Sequence, residues 1–147
     1  MPNYSVAAST VAAATVAPYA ALYTGAAPIK IQKISLLCQG ATLSPVRIYR
    51  AATLGTPTST AIVPVCFQLN EAAALESFHT AWAVTAPTIS TNVAIDGAYN
   101  AASISAGYVL VFDFGQELEI AASSALILWN PSGLTGAIQE CVIRYRR

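Results

Sequence analysis

From residue 28 the chain alternates between apolar and polar positions. Ile29 and Ile31 alternate with Lys30 and Gln32, and after Lys33 the phase moves by one residue to Ile34, Leu36 and Cys38. A period of two marks a half-buried strand, and a one-residue slip inside it predicts a β-bulge. Gln39-Gly40 closes this segment, and Val46, Ile48 and their neighbours up to Arg50 form a second short strand. A Gly/Pro/Thr loop follows over residues 53–60. Val63, Val65, Phe67 and Leu69 then share one face, with Pro64 opposite, as suits an edge strand or a strand start. Further on, Tyr108, Leu110, Phe112 and Phe114 share a face, and short strands are predicted at Leu118–Ile120, Leu126–Asn130 and Ala137–Tyr145. Asn130-Pro131-Ser132-Gly133 reads as a turn, since Pro presets one dihedral and Gly supplies another.

Only Asn70–Ser77 has helical character, with Asn70 to cap, Glu71 at the positive end and Ala72–Leu75 as good helix formers. His79–Ala86 alternates, with Thr80, Trp82 and Val84 on one side. Pro87–Ala106 is a long stretch of small and polar residues, read as an exposed loop or short hairpin with weak strand character near Val93 and Ile95. About eight short strands without alternating helices define an all-β, antiparallel two-sheet sandwich. A jelly roll fits the count, whereas the Cys-Trp-Cys pattern of antibody domains is missing, because no Trp lies between Cys38 and Cys66. Tyr4–Thr24 mixes Ala, Ser, Thr and Val with no helical stripe, as in an extended arm or a plain first strand. The organisation is thus an arm or first strand over residues 1–27 and a sandwich over 28–147.

Composition changes the picture in one respect. Hydrophobic residues make up 55% and charged residues only 10%, against roughly 25% charged in ordinary soluble domains, so part of the surface is expected to be covered by other protein. Seven basic and seven acidic residues cancel, which leaves no field to draw nucleic acid or an anionic membrane. No run is apolar enough for a membrane span. Residues 6–27 lack the basic start of a signal sequence and contain Pro18, so they are read as mature protein. Cys38, Cys66 and Cys141 are odd in number and far apart, a pattern of reduced, mostly buried thiols.

Candidate chemistry is sparse. The single histidine, His79, has no acidic or cysteine motif beside it, and no metalloprotease, nucleophile-elbow, thiol-redox or phosphate-loop motif occurs, so no enzyme and no cofactor is expected. Asp113, Glu117 and Glu119 cluster in sequence and have the chemistry to hold calcium, but an alternating strand whose polar residues face water or a neighbour's arginine explains them better, and no metal is assigned. The tryptophans Trp82 and Trp129 and the tyrosines suit either a sugar platform or packing. Arg144, Arg146 and Arg147 gather at one end, where arginine favours carboxylates of another subunit. Asn3-Tyr4-Ser5 matches a glycosylation sequon and is read as chance without a secretory signal.

The arm YSVAASTVAAATVAPYAALYTGAAP, the strands IKIQKISLLCQG and PVRIYRAA, and the closing pair ALILWNPSG and AIQECVIRYRR together resemble the small jelly-roll decoration, or cement, proteins on the capsids of tailed bacteriophages. The likeness is a plan of arm and strands over most of the chain, without a diagnostic signature. It implies a homotrimer made in the host cytoplasm that binds and reinforces the major capsid protein lattice on the capsid exterior. Contact residues expected on this reading are Tyr4, Val6, Val11, Val16 and Tyr19 of the arm, with Arg144, Tyr145 and Arg146. The competing reading is a carbohydrate- or receptor-binding module of a phage fibre or tail, using residues 87–106 and exposed tryptophans.

Overall fold

The structure, a computed structural model, describes residues 2–40, 42–68, 71–90, 94–98 and 109–147. Within them eleven strands are formed: β1 (Asn3–Ser9), β2 (Ala17–Tyr23), β3 (Ile29–Cys38), β4 (Val46–Thr53), β5 (Val65–Cys66), β6 (Ser77–His79), β7 (Thr88–Ile89), β8 (Asp96–Ala98), β9 (Val109–Ile120), β10 (Ala125–Asn130) and β11 (Gln139–Arg146). All pairings are antiparallel. Sheet 1 has the order β5-β1-β11-β3-β9 and sheet 2 the order β6-β2-β10-β4-β7, with β8 also on the β4 edge. Leaving aside the short β5, β6 and β7, β1-β11-β3-β9 packs against β2-β10-β4-β8. Consecutive strands mostly alternate between the two sheets, the wrapping of a jelly-roll-like sandwich.

Alternation fills the space between the sheets. Tyr4, Val6, Ile31, Ile34, Leu36, Phe112, Ile143 and Tyr145 point inward from sheet 1, and Ala20, Leu22, Ile48, Phe78, Leu126 and Leu128 from sheet 2; all are buried. Each large aliphatic among them contributes about 1.5–3 kcal/mol by leaving water. The phase slip read near Lys33 is a bulge: Gln32 is skipped in the pairing of β3 with β11 and again with β9. Leu118–Ile120, read as a separate strand, is the continuation of β9 beyond that irregularity.

Residues 4–24 take the strand form twice, as β1 and β2. β1 is bonded on both sides, to β11 and β5, and β2 to β10 and β6. Tyr4 and Tyr19 have no exposed surface. The small residues Ala20 and Ala21, which looked too slight to anchor a core, lie within the sheet where close packing suits them.

The helix expected over residues 70–77 is not formed at residues 71–76, and Ser77 begins β6; Asn70 lies outside the described residues. A single isolated turn is a poor nucleus, and here tertiary bonds capture its polar groups. The Ala72 carbonyl accepts from Tyr4 Oη at 3.0 Å and the Glu76 carboxylate from Tyr145 Oη at 2.8 Å. The strand expected over 79–86 is likewise reduced to β6 and an isolated bridge between Pro57 and Trp82.

The segment between β4 and β8 gives the molecule its asymmetry. β6 lies at one edge of sheet 2 and β7 at the other, so the chain must cross the sheet between them, and the inner face is already core. Residues 56–62 and 78–85 run side by side as a ribbon, bonded by Thr56 N to Thr85 O (2.8 Å), Thr58 N to Ala81 O (2.9 Å) and the Ile62–Phe78 bridge. It is tied to sheet 2 through Trp82 Nε1, which donates to Tyr23 Oη at 2.8 Å. Under it, the outward side chains Ala21, Ile127 and Tyr49 are buried, so the middle of sheet 2 is covered on both faces.

At one end of the sandwich, Gly136 faces Tyr19 so closely that a Cβ would stand 1.9 Å from the Tyr19 hydroxyl oxygen. Tyr19 is fully buried and its hydroxyl donates to Pro45 O at 3.2 Å, so it has nowhere to retreat. Gly136→Ala is therefore expected to cost about 1–3 kcal/mol, the range for overpacking, read as a lower urea midpoint with an unchanged slope.

Candidate binding surfaces

The contact residues expected from the sequence divide into two groups. Tyr4, Val6, Tyr19 and Tyr145 are buried inside the chain's own core, whereas Val11, Val16 and Arg144 are exposed and Arg146 is half-buried. Arg146 is moreover engaged internally, its Nη2 forming an ion pair with Glu117. Inward or outward placement on β1, β2 and β11 follows from pairing register, which the local sequence leaves open.

The buried tyrosines build a polar cluster that sequence reasoning missed. Tyr4 and Tyr145 stack with ring centroids 5.3 Å apart, and the Arg147 guanidinium lies 5.1 Å above the Tyr4 ring. Arg147 Nη2 donates to Tyr4 Oη at 2.7 Å, and Nη1 stands 4.0 Å from Oε1 of the fully buried Glu76 carboxylate. Burial pushes the Tyr145 hydroxyl well above the usual phenol range, and the Glu76 carboxylate adds to this by accepting its proton in a hydrogen bond. The cluster fastens residues 71–76 to sheet 1, and Phe67 N holds the neighbouring segment by donating to Asn3 O at 2.9 Å. Its signal in the sequence is faint: an acid and an arginine 71 positions apart.

The groups considered for chemistry do not converge. His79 Nδ1 lies 3.1 Å from both Oγ and O of Ser59, and its ring meets Tyr23 edge-on at 5.5 Å, so it is a packed strand-end residue. Asp113 and Glu119 sit on β9 on either side of the bulge, while Glu117 pairs with Arg146. Among the described residues no group of three or more His, Cys, Asp or Glu side chains is placed to hold a metal ion. Cys38 and Cys141 are buried and Cys66 half-buried, all as free thiols. Trp129 is half-buried on the outside of sheet 2, and Trp82 borders a shallow groove with Val11, Ala12 and Pro18. Of the loop 87–106, residues 91–93 and 99–106 lie outside the described residues, as does Tyr108.

A more organised surface lies where residues 11–16 run beside residues 132–138. Val11, Val16, Leu134 and Ile138 are all exposed there, Val16 at 59% and Leu134 at 63%. Val16 has φ of +49°, a left-handed conformation that a β-branched residue adopts only under strain. It is held by Val16 N donating to Ser132 O at 3.1 Å and by the Ala13–Gly136 bridge. Beneath sits Asn130, fully buried. Its Nδ2 donates to Ala14 O (3.1 Å) and Leu134 O (2.8 Å), and its Oδ1 accepts from Ser132 N (3.0 Å). One side chain thus locks both loops into a preset shape.

No family model matches the chain, and neither a curated protein nor a solved structure matches it.

Proposed function

We propose that the chain is a non-catalytic structural subunit of a virion, a decoration protein that attaches to the outside of a major capsid protein lattice. The observation that supports this most is that Val11, Val16, Leu134 and Ile138 stand exposed along two segments bonded to each other. A strained valine held out to solvent over a buried Asn130 lock is an arrangement that stability alone does not favour, and backbone strain concentrates where a protein binds. An apolar rim fixed before contact loses little conformational entropy on docking. The sparse charge of the whole chain suits a protein covered by neighbours.

The test is co-sedimentation of the purified chain with shells assembled from the major capsid protein encoded nearest its gene. Saturable binding is expected, and Val16→Asp combined with Leu134→Asp should weaken it on the order of a hundredfold, since two anchors are lost. Both sites are exposed, so the fold should persist by circular dichroism. Absence of binding at tens of micromolar, or equal binding by the double variant, would overturn the reading. Binding to glycans that is lost in Trp82→Ala would replace it with the fibre or tail module.

A further inference from the structure

Among the described residues the ribbon covers the middle of the outer face of sheet 2, whereas nothing covers the outer face of sheet 1. Pairing registers place its outward residues in rows across the strands. The first row is Ser9, Glu140, Leu37, Val109; the second is Ala7, Val142, Ser35, Val111; the third is Val65, Ser5, Arg144, Lys33, Asp113. The middle row carries no charge and only small or branched side chains. Val109, Val111 and Val65 are more than half exposed, and Leu37 is 39% exposed. Charge is arranged by row: Glu140 is the sole charge of the first, and Arg144 and Lys33 outweigh Asp113 in the third.

We infer that this face binds a second copy of the chain, sheet against sheet, about a two-fold axis running across the strands at the middle row. That axis reverses strand direction. The first row of each copy then lies over the third row of the other, Glu140 over Arg144 with Lys33 beside it, while Ala7, Val142, Ser35 and Val111 meet their own counterparts. An axis along the strands instead places Glu140 near Glu140 and the cations near one another, so the charges select between the two packings. Small central residues allow the usual spacing of about 10 Å between stacked sheets. Strands about 4.8 Å apart and rows about 7 Å apart give roughly 500 Å² from each copy. The total, about 1,000 Å², is at the low end for specific interfaces, as befits a micromolar dimer. An interface of this isologous kind is self-complementary by construction. It gives two-fold closure where the family resemblance implies three-fold, and it does not depend on the capsid reading.

Sedimentation equilibrium of the full chain alone, from about 1 to 200 μM, tests this. The mass should rise with concentration toward twice 15.3 kDa. Glu140→Arg and Arg144→Glu should each weaken association about tenfold or more by setting like charges face to face, and the two together should restore it to within about threefold. Glu140 Oε1 also accepts from Ser9 Oγ and Gln39 Nε2, so its replacement disturbs local bonds. Ser35→Asp, at a position with no such role, tests the same face independently and should leave a folded monomer. A monomer at every concentration, a mass of three chains, a double variant no better than the singles, or full association by Ser35→Asp would each overturn the inference. If the monomer binds capsid shells and Ser35→Asp abolishes that binding, the face belongs to the lattice and the second-copy proposal falls.

Discussion

Replacing Glu76 by alanine is expected to remove about 3–5 kcal/mol of folding stability, the usual cost of leaving one partner of a buried ion pair behind. The loss has two sources. Arg147 Nη1 makes no hydrogen bond among the described residues and only faces Glu76 Oε1 at 4.0 Å, so its guanidinium, lying mostly out of solvent, would lose its facing carboxylate. Tyr145, with no exposed surface, would lose the acceptor of its hydroxyl proton. Glu76→Gln should cost less, since an amide oxygen still accepts from Tyr145. Tyr145→Phe should fall in between, since the buried Glu76 carboxylate loses one donor but keeps Leu75 N and the facing Arg147, at a cost of about 1–3 kcal/mol. Urea unfolding of the three variants gives the order directly. Equal stability of Glu76→Ala and the parent chain would show that the cluster is relaxed by water and contributes nothing to the frame.

Unfolding by alkali is expected near pH 11. Burial raises the Tyr19 and Tyr145 hydroxyls above their ordinary 10.0, and burial followed by the neighbouring Glu140 charge raises the Cys141 thiol above 9.0. In each case the folded chain holds a proton that the unfolded chain releases. Their contribution is therefore complete below pH 9 and declines as pH rises past the unfolded values toward the folded ones. Each group costs about 1.4 kcal/mol per pH unit beyond its unfolded value. At pH 11 that is about 3 kcal/mol from Cys141 and about 3 from the two tyrosines together, comparable with the whole stability of many domains. Cys141→Ala should begin its decline nearer pH 10 than pH 9, which urea titrations at half-unit steps resolve. A flat profile up to pH 11.5 would mean that these groups ionise in place.

The fold class was legible because alternation from Ile29 to Arg50 and from Leu110 to Tyr145 survives into the structure, and the slip near Lys33 marked the bulge at Gln32. The strand read at Val63–Leu69, by contrast, is strand only at Val65–Cys66, with Val63, Val65 and Phe67 exposed. What failed was local reasoning about segments whose fate is decided at a distance. Ala72–Leu75 has good helix propensity, yet Tyr4 and Tyr145, from the opposite ends of the chain, capture the polar groups around it. Tyr4 and Tyr19 looked like arm residues because their neighbours are small, but β11 and β10 supply the partners that make them core. The surfaces show the same division. Val11 and Val16 could be named from their setting, whereas Leu134 and Ile138 come beside them only through the pairing of residues 10–16 with residues 132–139 and, at Leu134, through Asn130. The bare face of sheet 1 needed the pairing register, since nothing in sequence says that Val142, Ser35 and Val111 stand in one row.

The irregularity at Gln32 has a bearing on size. On β9 the residues Phe114–Glu117 occupy the space opposite the single Gln32, Glu117 adopts φ of +44°, and Gln32 Nε2 donates to Glu117 Oε1 at 3.4 Å. Bulges bend a sheet and sharpen its twist. Sheet 1 is thus creased, with the three rows on one side forming a gently twisted table and Lys30, Glu119 and Arg146 turned away beyond the fold line. A neighbouring body that rests on the table loses the surface after the Arg144 row and gains no footprint by sliding along the strands. The crease acts as a ruler, setting how much of the surface a neighbour can occupy.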